Sequence, residues 1–455
     1  MAAIQSLTFK DSRGEARRID FLAPESSQSR RDFQTTIITG HNGSHKSTLL
    51  RELVAALTLS DSESRATLNY ESEGPHHVLC ASGSVADRFP AKELPGGAHS
   101  RFDVPSYSYL GQRVGPNILS KKAPVETMLS FALDPARAER FTSHFFQQAH
   151  RLAGIRPSVD FVFERRHARF EKGDRDLLGR VQSKTPESDV ARPRRSSQGG
   201  SNAPYISYAT ARWLLDEFTY DEFTALEYLL SRQGRRLKAT LTPFGAVCDE
   251  LSPNVLRLGL LTGLVGLVEA TAQPAQAKGS FSLFELSSGE YHMYSTILGL
   301  GFGMSESSIV LIDEPENSLH PQWQREFMNA VFDISAETLR DGHLVVCTHS
   351  PLIVATALEG SSVVDLTEDE SQPSTVNFGA SADELLLSQF GVGSSRNRIV
   401  VDTVQRAVSL VERGDFGSEV FKSLVPELQR IVESLSPGDP LTEVIYALLE
   451  EEDVE

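Results

Sequence analysis

The sequence predicts an α/β fold around a parallel sheet, because three short strand-like runs each end in polar residues. Residues 309–312 (IVLI) and 344–347 (LVVC) are unbroken apolar runs, the pattern of strands buried on both faces. Residues 35–39 (TTIIT) have the composition of a third short strand. Ligands of open parallel sheets bind in the crevice at the carboxyl ends of the strands. We therefore expect the residues that follow these runs to meet in one crevice.

The segment after residues 35–39 has the composition of a phosphate-binding loop. Its order is strand, glycine-rich turn, Lys-Ser and then the amphipathic run LLRELVAAL, which predicts a helix. Successive backbone N–H groups and the N-terminus of such a helix attract phosphate. We predict that nucleotide phosphates bind here, with Lys46 on the β- and γ-phosphates and the Ser47 hydroxyl on Mg²⁺. The residues of this loop are Gly40, His41, Asn42, Gly43, Ser44, His45, Lys46, Ser47 and Thr48.

His45 departs from the usual pattern, which has glycine before the lysine. Glycine suits a positive φ angle or a close backbone approach at that position. Histidine tolerates the left-handed backbone conformation better than most residues, so we expect the loop to form with altered affinity. Its side chain either points away from the phosphates or crowds them, and the sequence leaves both alternatives open.

Asp313 and Glu314 are two adjacent carboxylates that follow run 309–312 directly, and Pro315 ends the strand. On their own they fit solvated surface acids equally well. A functional role for these two carboxylates is supported by LSSGE (286–290) before a predicted helix and by THSP (348–351) after run 344–347. The ordinary interpretation of LSSGE alone is a serine N-cap, and that of a single histidine at a strand end is a structural role.

Taken in order, the phosphate loop, LSSGE, DEPENSLHP (313–321) and THSP resemble the motifs of ABC/SMC/RecF-type ATPases. The resemblance covers residues 1–120 and 280–370 approximately. It implies an ABC-type P-loop ATPase core that binds ATP and Mg²⁺. By this resemblance Asp313 and Ser47 hold the metal, Glu314 polarises the attacking water, and His349 contacts the γ-phosphate.

The same resemblance implies an oligomer. Ser287 and Gly289 of the signature motif would cap ATP bound to a second protomer, which requires a homodimer or a higher homo-oligomer. Gln112, at the end of a predicted strand, is the candidate for the glutamine that senses Mg²⁺ and the γ-phosphate. A surface glutamine is the alternative at that position.

The chain divides into four parts by composition and motif. Residues 1–120 are predicted to form the N-terminal half of the core, including a β subdomain, and 281–378 the C-terminal half. Residues 121–280 are predicted to be a mainly helical insertion, and 379–455 a C-terminal helical region. We find no strand-end Glu with an Asp-x-Asp pair after residue 360, as the TOPRIM domain of OLD-like nucleases needs. We therefore expect an ATPase without a nuclease site of its own.

Composition excludes several classes of protein. The chain has 455 residues, 40% hydrophobic and 23% charged, which is ordinary for a globular protein. No apolar run reaches the roughly 20 residues of a membrane span, and three dispersed cysteines without a CxxC pair indicate a reducing, cytoplasmic location. The net charge of −17 means that any DNA-binding surface is local or belongs to a partner. The local candidate is 165–169 (RRHAR), with arginines at 192, 194 and 195, against the alternative of a solvated charged face.

A narrower resemblance concerns bacterial anti-phage defence. DRFP (87–90), YLGQR (109–113) and the pattern ELLLSQFGV…SRN (384–397) resemble the ATPase subunits of Septu-type and retron-associated systems. That resemblance implies a separate HNH nuclease as partner, with any nucleic-acid contact made through it. A DNA repair or recombination ATPase shares every motif above and remains an alternative. A nucleotide-sensing scaffold with little turnover, suggested by His45, is the other. The long insertion argues against a transporter cassette.

Overall fold

The described strands of the protein form four sheets in the computed structural model. The model describes residues 3–11, 13–24, 32–41, 43–59, 64–70, 77–91, 100–115, 118–166, 176–190, 206–232, 236–367, 372–375, 398–413, 415, 418–435 and 440–450. The strands are β1 (Ile4–Lys10), β2 (Ala16–Asp20), β3 (Phe33–Thr39), β4 (Thr67–Tyr70), β5 (His77–Ser82), β6 (Tyr107–Tyr109), β7 (Arg113–Gly115), β8 (Ile118–Leu119), β9 (Ile155–Arg165), β10 (Leu237–Thr242), β11 (Gly245–Cys248), β12 (Val265–Pro274), β13 (Phe281–Ser282), β14 (Ser308–Asp313), β15 (Gly342–Cys347), β16 (Ser362–Asp365) and β17 (Ser374–Thr375).

The helices lie against the faces of these sheets, in the insertion and in the C-terminal region. They are α1 (Lys46–Thr58), α2 (Ala123–Ala132), α3 (His144–Leu152), α4 (Leu177–Gln182), α5 (Pro186–Val190), α6 (Tyr208–Glu217), α7 (Tyr220–Ser231), α8 (Pro253–Leu261), α9 (Ser288–Gly303), α10 (Pro321–Thr338), α11 (Pro351–Ala355), α12 (Arg398–Glu412), α13 (Glu419–Ser434) and α14 (Pro440–Glu450). In the part of the chain that the model describes, no helix combines the length and the hydropathy that a membrane crossing requires.

The central sheet has the strand order β17-β16-β3-β15-β14-β5-β6 and is parallel except at the β16–β17 pair. Every residue of β3, β14 and β15 is buried. Along β14, Val310 and Ile312 face one hydrophobic core, which includes α9 and α10. Ile309 and Leu311 face the other, which includes α1 and the N-terminal strands. Burial on both faces explains why these strands are continuous apolar runs.

The N-terminal strands form the antiparallel sheet β2-β1-β4, which is the predicted β subdomain. A buried histidine joins this sheet to the central one. Nδ1 of His343, at the start of β15, accepts the backbone N–H of Ile4 at 3.2 Å. Its Nε2 then carries the proton and donates to Oγ1 of Thr36 in β3 at 2.8 Å.

The insertion contains more strand than the sequence indicated. Helices α2, α3, α6 and α7 lie in two segments, 123–152 and 208–231, in which apolar residues recur with helical spacing. Residues 155–282 also contain a five-stranded sheet of order β11-β10-β9-β12-β13, antiparallel throughout, which the prediction of a mainly helical insertion did not include. β9 alternates buried and exposed residues along most of its length. Its partners β10 and β12 lie more than 60 residues away in the chain, so a local pattern does not reveal the pairing.

The described part of the C-terminal region, within residues 398–450, is helical, as predicted. α12, α13 and α14 pack around a core of their own, which includes Val404, Phe421, Leu428 and Ile445. Residues 384–397, which carry part of the defence-system resemblance, lie outside the described residues. The molecule is therefore an α/β protein with an N-terminal β subdomain, an insertion and a C-terminal helical region.

Candidate active site

The phosphate-loop segment connects β3 to α1 at the carboxyl edge of the central sheet. Gly40 has φ 140° and Gly43 has φ 90°, conformations that favour glycine. A Cβ at Gly40 would lie 2.6 Å from Oγ of Ser44, so glycine also allows the close turn there. Asn42 lies outside the described residues. Gly43, Ser44 and His45 form a turn that leads directly into α1.

His45 adopts the left-handed conformation that the sequence analysis allowed, with φ 71° and ψ 17°, at the N-cap position of α1. Its Nε2 lies 3.8 Å from Oδ2 of Asp11, in the turn between β1 and β2. Asp11 is itself held by accepting the backbone N–H groups of Arg13 and Glu15 at 2.8 and 3.0 Å. The imidazole is therefore directed toward the N-terminal hairpin, which favours the first of the two alternatives for this side chain.

Lys46 is buried at the start of α1, and its ammonium lies inside the turn. Nζ donates to the carbonyl oxygens of Gly40 at 2.9 Å and His41 at 3.2 Å. Burial lowers its pKa, because taking the ammonium out of water disfavours the charged form. A phosphate entering the turn would give this charge the anionic partner that these neutral carbonyls do not.

Asp313, at the end of β14, accepts a hydrogen bond from the hydroxyl of Ser47. Burial raises the pKa of Asp313 to about 7, and the bond from Ser47 opposes that rise. Its Oδ1 is buried and has no hydrogen-bond partner among the described residues. The two predicted metal ligands are thus in contact with each other.

The donor set fits Mg²⁺. An unpartnered buried carboxylate oxygen beside a hydroxyl is an oxygen pair of the kind Mg²⁺ takes, since it keeps several waters and uses few protein ligands. Within the described ranges, no cluster of three or more His, Cys, Asp or Glu side chains is arranged to hold a metal. That excludes a many-ligand protein cage there but not a site of this kind.

Glu314 begins the turn after β14 and has φ 47°, an uncommon conformation for a side-chain-bearing residue. Its Oε1 lies 3.1 Å from Nε2 of His349, and its Oε2 accepts Nδ2 of Asn317 at 2.7 Å. The hydrogen bond from His349 lowers the pKa of Glu314. Glu314 is therefore an ionised carboxylate near neutral pH, partly open to solvent.

His349 follows β15 and connects the two sides of the crevice. Nδ1 of its ring lies 3.4 Å from Nζ of Lys46, and Nε2 faces Glu314. The convergence arises because β3, β15 and β14 are neighbours in a parallel sheet, so their carboxyl ends meet. Of the predicted catalytic and phosphate-binding residues, Lys46, Ser47, Asp313, Glu314 and His349 are brought together.

Two residues of this crevice were not singled out from the sequence. Oε1 of Glu316 accepts the hydroxyl of Thr348 at 2.8 Å and the backbone N–H of His349 at 2.5 Å. Nη1 of Arg88, in the DRFP segment, donates to Oγ1 of Thr48 at 3.0 Å. DEPENSLHP and DRFP were recognised as motifs, but the function of a residue inside a motif follows only from its contacts.

The signature residues lie apart from Lys46 in the same chain. Ser287 is the exposed N-cap of α9 and forms a reciprocal capping box with Glu290, so the ordinary capping interpretation of LSSGE holds. Gly289 packs against the turn after β14, where a Cβ would lie 2.5 Å from the carbonyl oxygen of Ser318. Their proposed contact with ATP on a second protomer stays a prediction.

Gln112 also stays a prediction. It follows β6, at the edge of the central sheet two strands from β14, and its carbonyl accepts the N–H of Ser120 at 2.8 Å. Beside it, Arg113 donates to Oδ1 of Asp87 at 3.0 Å, and the Tyr109 hydroxyl donates to the other oxygen of Asp87. These bonds anchor the DRFP segment against the strand that precedes Gln112.

The basic segment proposed as a local DNA-binding surface is only partly described. Nη1 of Arg165 donates to the carbonyl of Leu230 at 2.6 Å, and Arg166 forms an ion pair with Glu126. The other residues of that proposal, 167–169, 192, 194 and 195, lie outside the described residues. The two described arginines therefore contribute to the packing of the insertion.

Comparison with known proteins identifies a family. A family model described as "AAA domain, putative AbiEii toxin, Type IV TA system" matches residues 128–355, half of the chain, including LSSGE, DEPENSLHP and THSP. No curated protein matches the sequence.

Solved structures show only distant likeness to the chain. The Smc head domain bound to the C-terminal domain of ScpA, from Pyrococcus furiosus, is 12% identical with a TM-score of 0.30 and covers 83% of this chain and 97% of that chain. The SMC head domain from Thermotoga maritima is 13% identical with a TM-score of 0.26, covering 82% and 99%. UvrA2 from Deinococcus radiodurans is 14% identical with a TM-score of 0.30, covering 85% and 38%. Likeness at this level indicates nothing about substrate or partner. Because the family model matches half of the chain, the chain belongs to this AAA-domain family.

Proposed function

We propose that the protein is an Mg²⁺-dependent ATPase whose site is the crevice at the ends of β3, β14 and β15. The observation that supports this most strongly is the linkage of Lys46, His349 and Glu314 through one imidazole, beside the Ser47–Asp313 pair. Lys46 and the loop N–H groups bind the phosphates of ATP. Ser47 and Asp313 would hold Mg²⁺, which supplies charge neutralisation at the phosphate oxygens.

Glu314 is the group placed to orient and polarise the attacking water. It is ionised, partly exposed and held by His349 and Asn317, so its carboxylate can accept a proton from a water beside it. Asp313 is unsuited to that role because it is nearly enclosed and is taken up by Ser47. The adjacent carboxylates thus divide the work between metal binding and base chemistry.

A second protomer would complete the site. Ser287 is exposed at the N-terminus of α9, a helix end of the type that attracts anions. Gly289 lies beside it, buried against the turn after β14. In this proposal two protomers associate so that Ser287 and Gly289 of each cap ATP bound by the loop of the other.

In the cell, the ATPase would regulate a separate effector in anti-phage defence. The motif resemblance to Septu-type and retron-associated subunits supports this, and so does the family description, which names an AbiEii toxin and a type IV toxin–antitoxin system. The effector we propose is an HNH nuclease encoded beside this chain. Any nucleic-acid contact would then belong mainly to the complex.

A phage challenge tests that role. Cells carrying the gene with its neighbours are plated with phage, alongside cells carrying Glu314→Gln or an inactive nuclease. Loss of protection in both variants is expected. Protection by this chain alone, without the neighbouring gene, would rule out the partner proposal while leaving the ATPase proposal standing.

A second candidate function, an ATPase acting directly on nucleic acid, is favoured by one surface feature. A groove of ≈ 460 Å³ beside α1 is lined by five arginines, with Glu52 as the acidic residue among its lining side chains. The arginines are Arg51, Arg65, Arg88, Arg101 and Arg113. Such a cluster attracts phosphodiesters even in a protein of net charge −17, because the local charge at the groove, and not the net charge of the protein, determines the attraction.

DNA titration at several salt concentrations distinguishes the two candidates. If the groove binds phosphates, Arg65→Glu should weaken DNA binding and reduce the slope of log affinity against log salt by about 1. Lys422→Glu, on the exposed side of α13, is the matched control. Equal DNA affinity of both variants and the wild type would remove the groove from consideration.

A further inference from the structure

Glu316 connects the turn after β14 to the end of β15. One of its carboxylate oxygens, Oε1, accepts two hydrogen bonds, from the hydroxyl of Thr348 at 2.8 Å and from the backbone N–H of His349 at 2.5 Å. Thr348 in turn accepts the backbone N–H of Ser350 at 2.9 Å. This carboxylate therefore holds the strand-end segment that carries His349, in addition to the bond from the Thr348 N–H to the carbonyl of Ile38 and that from the Ser350 hydroxyl to Gln324.

The environment of Glu316 is costly for a carboxylate. Its second oxygen, Oε2, is buried without a hydrogen-bond partner among the described residues. Burial raises the pKa of Glu316, and the nearby charge of Glu314 adds to that rise. A neutral acceptor could satisfy Thr348 at lower cost, so the cost of this carboxylate calls for a functional explanation.

The geometry of His349 supplies that explanation. Its ring has to span from Lys46 Nζ on one side to Glu314 Oε1 on the other, at 3.4 and 3.1 Å. A ring can make both contacts only if its own backbone is fixed relative to β14. Glu316 lies two residues after Glu314 and accepts the N–H of His349. It therefore links the backbone of Glu314 to the backbone of His349.

We infer that Glu316 is a positioning residue, which fixes the main chain of His349 so that the imidazole bridges the phosphate-binding lysine and the carboxylate of Glu314. The inference rests on the proposed ATPase function. Glu316 itself touches neither the phosphates nor the water in this account. Its effect passes through the placement of His349 alone.

Two substitutions of Glu316 separate the hydrogen-bond acceptor from the charge. Glu316→Gln keeps an acceptor oxygen, whereas Glu316→Ala removes it. If positioning is the role, Glu316→Ala should lower kcat about 100-fold, as expected when a catalytic group moves by about 1 Å. The KM for ATP should change less than about twofold, which is less than the loss of one hydrogen bond to ATP would cause. Gln should retain kcat within about tenfold, because an uncharged acceptor gives a weaker bond. Glu337→Gln, exposed on α10, is the control.

A readout independent of turnover keeps this test distinct from that of the ATPase proposal. In protein labelled with ¹⁵N-histidine, the His349 ring, assigned with His349→Gln, should show protonated Nε2 and an accepting Nδ1. Glu316→Ala should abolish that pattern and Glu316→Gln should keep it. If the wild type hydrolyses no ATP, the ATPase proposal fails, but the ring signals still test the positioning. If Glu316→Ala leaves both kcat and the ring signals unchanged, the inference is wrong.

Thr348→Val serves if Glu316→Ala does not fold, as judged by thermal unfolding. It removes the hydroxyl that donates to Oε1 and accepts the Ser350 N–H, with little change in shape, so a several-fold fall in kcat with an altered His349 ring signal is expected. An unaltered ring signal and unaltered kcat would overturn the inference. Equal losses in Glu316→Gln and Glu316→Ala, accompanied by a raised KM, would also overturn it, since they would assign Glu316 to ATP binding through its charge.

Discussion

Nε2 of His349 donates its proton to Oε1 of Glu314 at 3.1 Å. The direction of this bond follows from the other side of the ring. The ammonium of Lys46 can only donate, so Nδ1 of His349 has to accept at 3.4 Å, and the remaining proton is on Nε2. A neutral imidazole in this tautomer keeps Glu314 ionised and free to accept a proton from water.

Glu314→Gln should separate ATP binding from hydrolysis. The amide cannot act as a base, so we expect turnover to fall about 10²–10⁴-fold, the usual contribution of a positioned base. Binding should persist because Lys46 and the loop are untouched. Phosphate release and ATP titration measure the two quantities. Glu337→Gln is the matched control, and near-wild-type hydrolysis by Glu314→Gln would assign the base to another residue.

Lys46→Ala should weaken nucleotide binding. The ammonium is held at the centre of the loop turn by Gly40 and His41, and its loss removes charge-assisted contacts of about 1.5–3 kcal/mol. Calorimetric titration with ATP and Mg²⁺ measures this, with Lys422→Ala on α13 as the control. An unchanged affinity would show that nucleotide binds elsewhere.

Removal of Mg²⁺ should affect the wild type more than Asp313→Asn. Oδ1 of Asp313 is buried and unpartnered among the described residues, and an asparagine keeps the shape but loses the charge that holds a divalent cation. Hydrolysis by the wild type should stop with a chelator and return with added Mg²⁺, while Asp313→Asn should remain slow in both. Chelator-resistant hydrolysis would contradict the metal assignment.

His45→Gly tests the residue at which the phosphate-loop pattern is broken. The imidazole points toward Asp11 at 3.8 Å, so its removal should change ATP affinity by less than about tenfold, or 1.4 kcal/mol. Asp11→Asn is the matched variant, since it weakens the same contact and leaves the loop sequence intact. Calorimetry at two pH values measures both. A tightening well beyond tenfold in His45→Gly would favour the low-turnover nucleotide-sensing scaffold over an active ATPase.

The sequence predicted the core of the site because strand ends are local features. β3, β14 and β15 are unbroken buried strands. Asp313 ends β14, Glu314 and His349 follow β14 and β15, and Lys46 begins the helix after β3; these residues are found together. Parallel-sheet geometry guarantees that such ends meet. The structure adds only the distances between them.

Contacts between distant segments were not predictable in this way. Glu316 reaches Thr348, and His45 reaches Asp11, through pairings that depend on the final packing. The five-stranded sheet of the insertion was missed for the same reason, since the segments that pair with β9 are distant in sequence. Gln112 was placed at a strand end correctly, but its strand is at the edge of the sheet, where the end need not face the crevice.

His343 makes the stability of the protein depend on pH. Its burial lowers its pKa from 6.5 to about 3, so the folded state keeps it neutral while the unfolded state takes up a proton below pH 6.5. The contribution of His343 to the free energy of unfolding is therefore fully present above pH 6.5 and declines as pH falls toward 3. By linkage the loss is about 3 kcal/mol between pH 6.5 and pH 4.

Replacement of His343 by glutamine should flatten that decline. At pH 7.5 the variant should be less stable by about 1–3 kcal/mol, because a flexible glutamine side chain does not keep the rigid ring's simultaneous contacts with the Ile4 N–H and Thr36 Oγ1. Between pH 6.5 and 4, however, its free energy of unfolding should fall by about 3 kcal/mol less than that of the wild type. Denaturant unfolding at a series of pH values gives both curves.

His144→Gln, exposed on α3, is the control, because it removes a histidine that lies outside the core. His150 and His292 are buried with pKa values of about 4 and keep part of the slope in every variant, so the difference between curves is the quantity to compare. Parallel curves for the wild type and His343→Gln would mean that His343 is protonated in the folded protein, which its acceptance of the Ile4 N–H through Nδ1 forbids.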